Sequence, residues 1–181
     1  MATLLLTPPT FADADELLAF ELRNREFFEN HINARPAGYY SPEGVRMAIT
    51  AAVAEARADT AFQYLVRDET AQLVGRVNLS RVKRVHFHSA EIGYRIAEAV
   101  TGRGIAVEAV RQVVALAFSE HRLHRLEATS RPENTGSVKV LARNGFEMFG
   151  RAKRSFQLQG AWYDLLYFER HADASQIAPS K

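Results

Sequence analysis

The chain has 181 residues, 47% of them hydrophobic and 24% charged, enough for one folded domain with a proper core and no covalent staples. Cysteine is absent, which excludes disulfides, thiolate metal sites and a cysteine nucleophile and fits a reducing compartment. Its 23 basic and 21 acidic residues leave a formal charge of +2, too small an excess to argue for direct nucleic-acid binding.

No apolar run approaches the roughly 20 residues of a membrane span. Leu4-Leu5-Leu6, closed by Pro8-Pro9, is too short for a signal peptide, so a cytoplasmic protein without a membrane partner is expected. Leu4 to Thr7 reads as an opening strand. Thr10-Phe11-Ala12-Asp13 has the form of a capping box, and Ala14, Leu17, Leu18 and Leu22 follow at helical spacing. Ser41-Pro42-Glu43 starts a second helix with Val45, Ala48, Ile49, Ala52, Val53 and Ala56 on one face. Strands are expected at 61–67 and 73–82, joined by a hairpin connection at Asp68 to Ala71, and again at 86–96. Arg81, Lys83, Arg84, His86 and His88 form a basic cluster, read as a solvated connection or as a contact for an acidic partner or phosphate.

The last of these strands passes through Glu91, Tyr94, Arg95 and Ile96 into Thr101-Gly102-Arg103-Gly104-Ile105-Ala106 and straight on into a helix. Such a junction aims several unpaired backbone N–H groups at one spot and adds the positive end of the helix dipole. Gly102 and Gly104 remove the Cβ atoms that would keep a pyrophosphate away from that backbone. The residues alone read as an anion site, the alternative being a tight turn with no ligand. A Walker loop fails because Ile105 follows Gly104, and a dinucleotide fingerprint fails because Val107 stands where its third glycine belongs. No spacing of metal ligands is present, so no metal is expected.

The helix after the loop carries Val110, Val113, Val114, Ala117 and Phe118 as a buried stripe. A short strand at 125–129 follows, and Asn134 then caps a helix that turns Val138, Leu141 and Ala142 inward and stops at Gly145. Strands at 146–158, broken around Gly150, and at 161–168 close the domain around a Gln159-Gly160 turn. One domain over 1–171 is expected, with a small, polar, disordered tail over 172–181.

Taken in order, these pieces resemble the Gcn5-related N-acetyltransferase (GNAT) superfamily. Its pyrophosphate loop reads Gln/Arg-x-x-Gly-x-Gly/Ala, the frame that Thr101 to Ala106 occupies. Asn134-x-x-Ser137, Leu141 and Asn144-Gly145-Phe146 are similar to its second acetyl-CoA motif. Ala90 to Tyr94, Arg131-Pro132-Glu133-Asn134, Gly150 to Lys153 and Gly160 to Asp164 narrow the resemblance to the Rim-type, ribosomal-protein-alanine branch over residues 3 to 170. Asn24-Arg25-Glu26-Phe27 is a weaker echo of the same branch.

The resemblance implies an α/β (α+β) fold: a mixed, mostly antiparallel sheet with a splayed parallel strand pair and helices on both faces. It implies acetyl-CoA as co-substrate, a primary amine as acceptor and direct transfer in a ternary complex. The expected acceptor is a protein N-terminal α-amino group, possessed by a ribosomal protein, in an enzyme that is a monomer or homodimer. A polyamine, amino acid or aminoglycoside is the alternative acceptor, and a non-catalytic acetyl-CoA-binding module is the reading outside enzymes.

By the same resemblance the backbone of Gly102, Arg103, Gly104, Ile105 and Ala106 holds the pyrophosphate, and that of Tyr94, Arg95 and Ile96 pairs with the pantetheine arm. Asn134 contacts the cofactor as well as capping its helix. Ser137 protonates or hydrogen-bonds the departing thiolate, unless it is a first-turn serine satisfied by the backbone. Glu91 is the first candidate for a proton relay, with a cross-strand or surface pairing as its alternative, and His86 and His88 come after it. Phe27, Phe28, Tyr39 and Tyr40 suggest an acceptor wall or core packing. Asp164 is expected to attract a cationic amine or to tie down a loop. Thr101 departs from the family's Gln or Arg, which implies weaker cofactor binding, with Arg103 as the candidate to supply the missing charge.

Overall fold

Seven strands form one mixed sheet: β1 (Leu5–Thr7), β2 (Phe62–Arg67), β3 (Leu73–Lys83), β4 (Ser89–Ile96), β5 (Arg125–Ser130), β6 (Glu147–Leu158) and β7 (Ala161–His171). Their order is β1-β2-β3-β4-β5-β7-β6. The helices are α1 (Ala14–Arg23), α2 (Arg25–Glu29), α3 (Pro42–Arg57), α4 (Ile105–Ser119) and α5 (Thr135–Arg143). The structure, a computed structural model, describes residues 3–173. Internal packing divides the described residues into two units, 3–78 with Tyr94–Ala109 and Leu79–Gly93 with 110–173.

In the first unit Asp13 accepts from the Thr10 amide and hydroxyl, and Ser41 caps α3 by accepting from the Gly44 amide at 3.0 Å. Ala14, Leu17 and Phe20 of α1 form one core with Phe28, Val45, Ile49, Leu65 and Leu73. Leu22 does not join them. It is 48% exposed, and Glu21 beside it is fully buried, the reverse of what hydrophobic spacing predicts.

The physical reason is the partner set of Glu21. Its Oε1 accepts from Arg76 Nη1 at 2.7 Å, from Arg35 Nη2 at 3.2 Å and from the Tyr39 hydroxyl at 3.4 Å. Its Oε2 accepts from Arg35 Nε at 3.3 Å and Arg95 Nη1 at 3.2 Å. A buried ion is tolerated only when paired and hydrogen-bonded in this way. Burial alone works to raise the Glu21 pKa, but the fields of Arg76, Arg35 and Arg95 outweigh it and hold the carboxyl below the usual range.

In the second unit the α4 stripe Val110, Val113, Val114, Ala117 and Phe118 is buried throughout. β4 pairs with β5 in parallel from Ser89/Arg125 to Glu91/Glu127, and both strands run on past the last of these pairs. β7 lies antiparallel to β5 from Arg125/His171 to Ser130/Leu166. β6 runs unbroken from Glu147 to Leu158, with a register shift between Met148 and Gly150 where a break was expected and a second between Ala152 and Phe156, each absorbing extra residues as a bulge. Asp164 secures the second shift, accepting from Arg151 Nε at 2.7 Å and from the Arg154 amide at 2.8 Å. The Gln159-Gly160 turn has φ 49° and 82°, the positive pair that a type I′ hairpin requires.

Other boundaries shift for local reasons. β4 starts at Ser89 rather than 86 because His86 and His88 both take positive φ in the preceding turn. α5 ends as expected at Gly145, whose amide bonds Ala142 O while that of Phe146 bonds Leu141 O. On that helix Leu141 is buried, but Ala142 faces solvent. β7 runs to His171 because its pairing with β5 continues that far, and the buried Ala172 donates its amide to His124 O at 2.9 Å. The tail expected beyond that point lies, from Ala174, outside the described residues.

Replacing Glu21 by Gln should lower unfolding stability by about 3 kcal/mol, because it leaves three guanidinium groups around a neutral amide. Since the folded-state pKa of Glu21 is depressed, its contribution is present above the unfolded carboxyl value and is lost as pH falls through the folded one. Urea denaturation of both proteins from pH 7 to 3 should therefore give a gap that narrows below about pH 4. A gap under about 1 kcal/mol at pH 7 would remove the cluster as a stabilising element.

Candidate active site

β4 leaves the sheet through a 3-10 turn, Glu98–Val100, and this turn sets up the glycine loop. Asn24, buried where α1 gives way to α2, holds the turn from one side: its Oδ1 accepts from the Glu98 amide at 3.0 Å, while its Nδ2 donates to Phe20 O at 2.8 Å. The Thr101 amide and hydroxyl both donate to Glu98 O, at 3.0 and 2.8 Å. The hydroxyl of Thr101 thus shapes the turn with the one proton it has to give.

Gly102 and Gly104 sit at φ 76° and 79°, left-handed conformations that a residue with a Cβ adopts only under strain. No atom lies within 4 Å of where a Cβ would be at either position, so the loop backbone faces open space. Gly104 O accepts from the Glu108 amide at 3.0 Å, making this residue the start of α4. The amides of Ile105 and Ala106 then have no acceptor in a preceding helical turn. A left-handed loop at the positive end of a 15-residue helix suits a diphosphate in shape and charge. Arg103 lies exposed in the same loop.

Tyr94, Arg95 and Ile96 form the end of β4. Tyr94 is half-buried and Ile96 buried, while the Arg95 side chain belongs to the Glu21 cluster and packs 5.3 Å from the centre of the Phe28 ring. Of the four aromatics in the acceptor stretch, Phe28 and Tyr39 are core residues, with Phe27 and Tyr40 packed against that core. The sequence reading quoted Asn24 only as part of a family echo, and the buried roles of Glu21, Asn24, Arg35 and Arg76 escaped it. The signal for Arg76 was a lone charge inside the apolar run Leu73 to Leu79, which calls for a buried counter-ion.

In the second unit Asn134 caps α5, its Oδ1 accepting from the Ser137 amide at 3.1 Å. Ser137 is half-buried in the first turn. Glu91 pairs across the strands with Arg81, Oε1 to Nη1 at 2.8 Å, where its side chain is 38% exposed. His86 and His88 are exposed, and Lys83 of the same cluster lies over the Phe87 ring. Among the described residues no group of three His, Asp or Glu side chains is arranged to hold a metal, and no helix is long and apolar enough to cross a membrane.

The family model described as Acetyltransferase (GNAT) domain matches residues 3–147. The protein named Probable N-acetyltransferase YjcK of Bacillus subtilis (strain 168) is 37% identical over 163 residues, covering 90% of each chain. The ribosomal-protein-S5-alanine acetyltransferase of Vibrio fischeri superposes with a TM-score of 0.92 at 28% identity, covering 99% of this chain and 97% of that one. RimJ of Mycobacterium smegmatis, solved in complex with CoA-disulfide, gives a TM-score of 0.87 at 30% identity and covers 94% of this chain and 83% of its own. With the family model spanning most of its length, this chain belongs to the GNAT family and is an N-acetyltransferase.

Proposed function

We propose that the chain carries acetyl from acetyl-CoA to the α-amino group at a protein N-terminus, with a ribosomal protein as the acceptor. The observation that carries the cofactor assignment is the pair of left-handed glycines with open space before them at the start of α4. The CoA-disulfide bound to the Mycobacterium smegmatis relative supports it, and the Vibrio fischeri relative's name supports the acceptor.

In this reading the amides of Gly102 to Ala106 hold the pyrophosphate and the backbone of Tyr94 to Ile96 lies along the pantetheine arm. Asn134 contacts the cofactor while it caps α5. The amine nitrogen attacks the thioester carbonyl carbon, the carbon–sulfur bond breaks, and the sulfur leaves as a thiolate that the Ser137 hydroxyl hydrogen-bonds or protonates. No acetyl-enzyme forms.

The attacking amine must first lose a proton. An α-amino group with a pKa near 7.7–8 is about a fifth to a third neutral at pH 7.4, whereas a lysine near 10.4 is about 0.1% neutral. An N-terminal acceptor therefore asks little of a base. Glu91 Oε1 is paired with Arg81, which stabilises its carboxylate as an ion, and water is the simpler relay.

Acetylation of a panel of N-terminal peptides, lysine peptides and polyamines, read by mass spectrometry, tests the acceptor; transfer to polyamines alone would overturn it. Gly104→Glu should raise the acetyl-CoA Kd at least about tenfold through like charge and lost access, with Gly104→Ala reporting backbone strain alone. An unchanged Kd in calorimetry would take the loop out of the site. Ser137→Ala should lower kcat more than it raises the KM for acetyl-CoA, and normal turnover would leave Ser137 a structural residue.

A further inference from the structure

The acetyl-transfer reading gives no task to the charge around Glu21. Arg35, Arg76 and Arg95 face this one carboxylate, and the neighbouring Arg25 and Glu29 neutralise each other at 2.8 Å, so two positive charges stand in excess. Glu21 cannot absorb more: five donors already share its two oxygens, which offer about four lone-pair positions. Tying several segments to one carboxylate accounts for the bonds but leaves the surplus of charge unmatched.

The three arginines differ in what they can offer a ligand. Arg76 is engaged inward with Glu21, the Tyr39 hydroxyl at 2.9 Å and Gln63 Oε1 at 2.7 Å, and its side chain is 5% exposed. Arg35 and Arg95 keep 21% and 16% exposure. Arg35 lies over the Tyr39 ring at 4.2 Å, which fixes the plane of its guanidinium. Arg95 directs a single nitrogen to Glu21, out of the five N–H donors a guanidinium carries. Burial, joined by repulsion from Arg35 and Arg76, lowers the Arg95 pKa against the pull of Glu21, so a further anion beside it would relieve the site. Arg95 also stands on the strand end that leads into the glycine loop, next to Ile96.

We propose that Arg35 and Arg95 seat a carboxylate that the acceptor carries close to its amine, so that the enzyme selects acidic amines over neutral ones and over polycations. The proposal rests on the acetyl-transfer reading and names its substrate class. Two sources share this chemistry: an acidic side chain just after the N-terminus of a peptide, and the α-carboxylate of a free amino acid.

The test compares kcat/KM for C-terminally amidated peptides beginning Ala-Asp, Ala-Asn and Ala-Lys, and for alanine beside alanine amide. Ala-Asp should exceed Ala-Asn by about tenfold, the gain of one charge-assisted hydrogen bond, with Ala-Lys lowest. A matching advantage of alanine over its amide would identify the α-carboxylate as a source, and its absence together with the Ala-Asp preference would identify the side chain. Arg35→Gln should shrink the Asp/Asn ratio below about threefold, while Arg35→Lys keeps most of it. Equal rates on Ala-Asp and Ala-Asn, or an unchanged ratio in Arg35→Gln, would overturn the proposal. Calorimetry with the N-acetylated Ala-Asp and Ala-Asn peptides separates this from the reading beneath it. A wild-type preference for the acidic product that Arg35→Gln loses, in an enzyme inactive on every amine, would refute acetyl transfer to these acceptors and uphold the carboxylate seat; equal binding of the two products would remove the seat.

Discussion

A carboxylate with no exposed surface must have its charge met by partners held at hydrogen-bonding distance, and around Glu21 that demand fixes several segments of the first unit at once. Arg76 comes from β3, Arg95 from β4, Arg35 from the stretch before the 3-10 turn at Ala37–Tyr39, and Gln63 from β2 through Arg76. The 2.7 Å bond from Arg76 is short and directional, and with the longer ones from the other sides it sets rotation about the axis of α1 as well as its position. That rotation puts Leu17 and Phe20 in the core and leaves Leu22 outside.

The glycine loop inherits its geometry from this arrangement. α1 ends at Arg23, and the next residue, Asn24, receives the Glu98 amide that begins the 3-10 turn before the loop. β4 brings Arg95 to Glu21 and enters the same turn from the other direction. The loop itself is exposed and has few contacts of its own, so its shape comes from these two tethers, from the Thr101–Glu98 bonds and from two residues able to hold φ near 80°. Thr101 is thereby committed to closing the turn, which gives a physical account of a short hydroxyl residue at a position where the family carries a long polar side chain.

Features written in neighbouring residues were legible in advance. The α4 stripe follows the helical period, Ser41 and Asn134 are caps, Gly145 ends α5, and Gln159-Gly160 makes its hairpin turn. The glycine loop belongs with them, because a left-handed backbone at a helix start leaves its mark on the residues that form it. What could not be read in advance depends on partners distant in sequence. Glu21 looks like a solvent-facing residue until Arg35, Arg76 and Arg95 are assembled around it, and α2 is too short to declare itself by periodicity. The extent of β7 follows from how far β5 accompanies it, and the second bulge of β6 is held by Asp164 taking the Arg154 amide. Glu91 was visible as a carboxylate, but its pairing with Arg81 had to be seen.

The bulged β6 also lies at the outer edge of the sheet, where unpaired amides and carbonyls would otherwise offer a template to any extended chain. Its interruptions spoil the regular repeat that such a template needs. The exposed Lys153 and Arg154 add like charge along this strand. This border therefore guards against fibril-like stacking and accidental strand exchange, a protection achieved with the same irregularity that Asp164 holds in place.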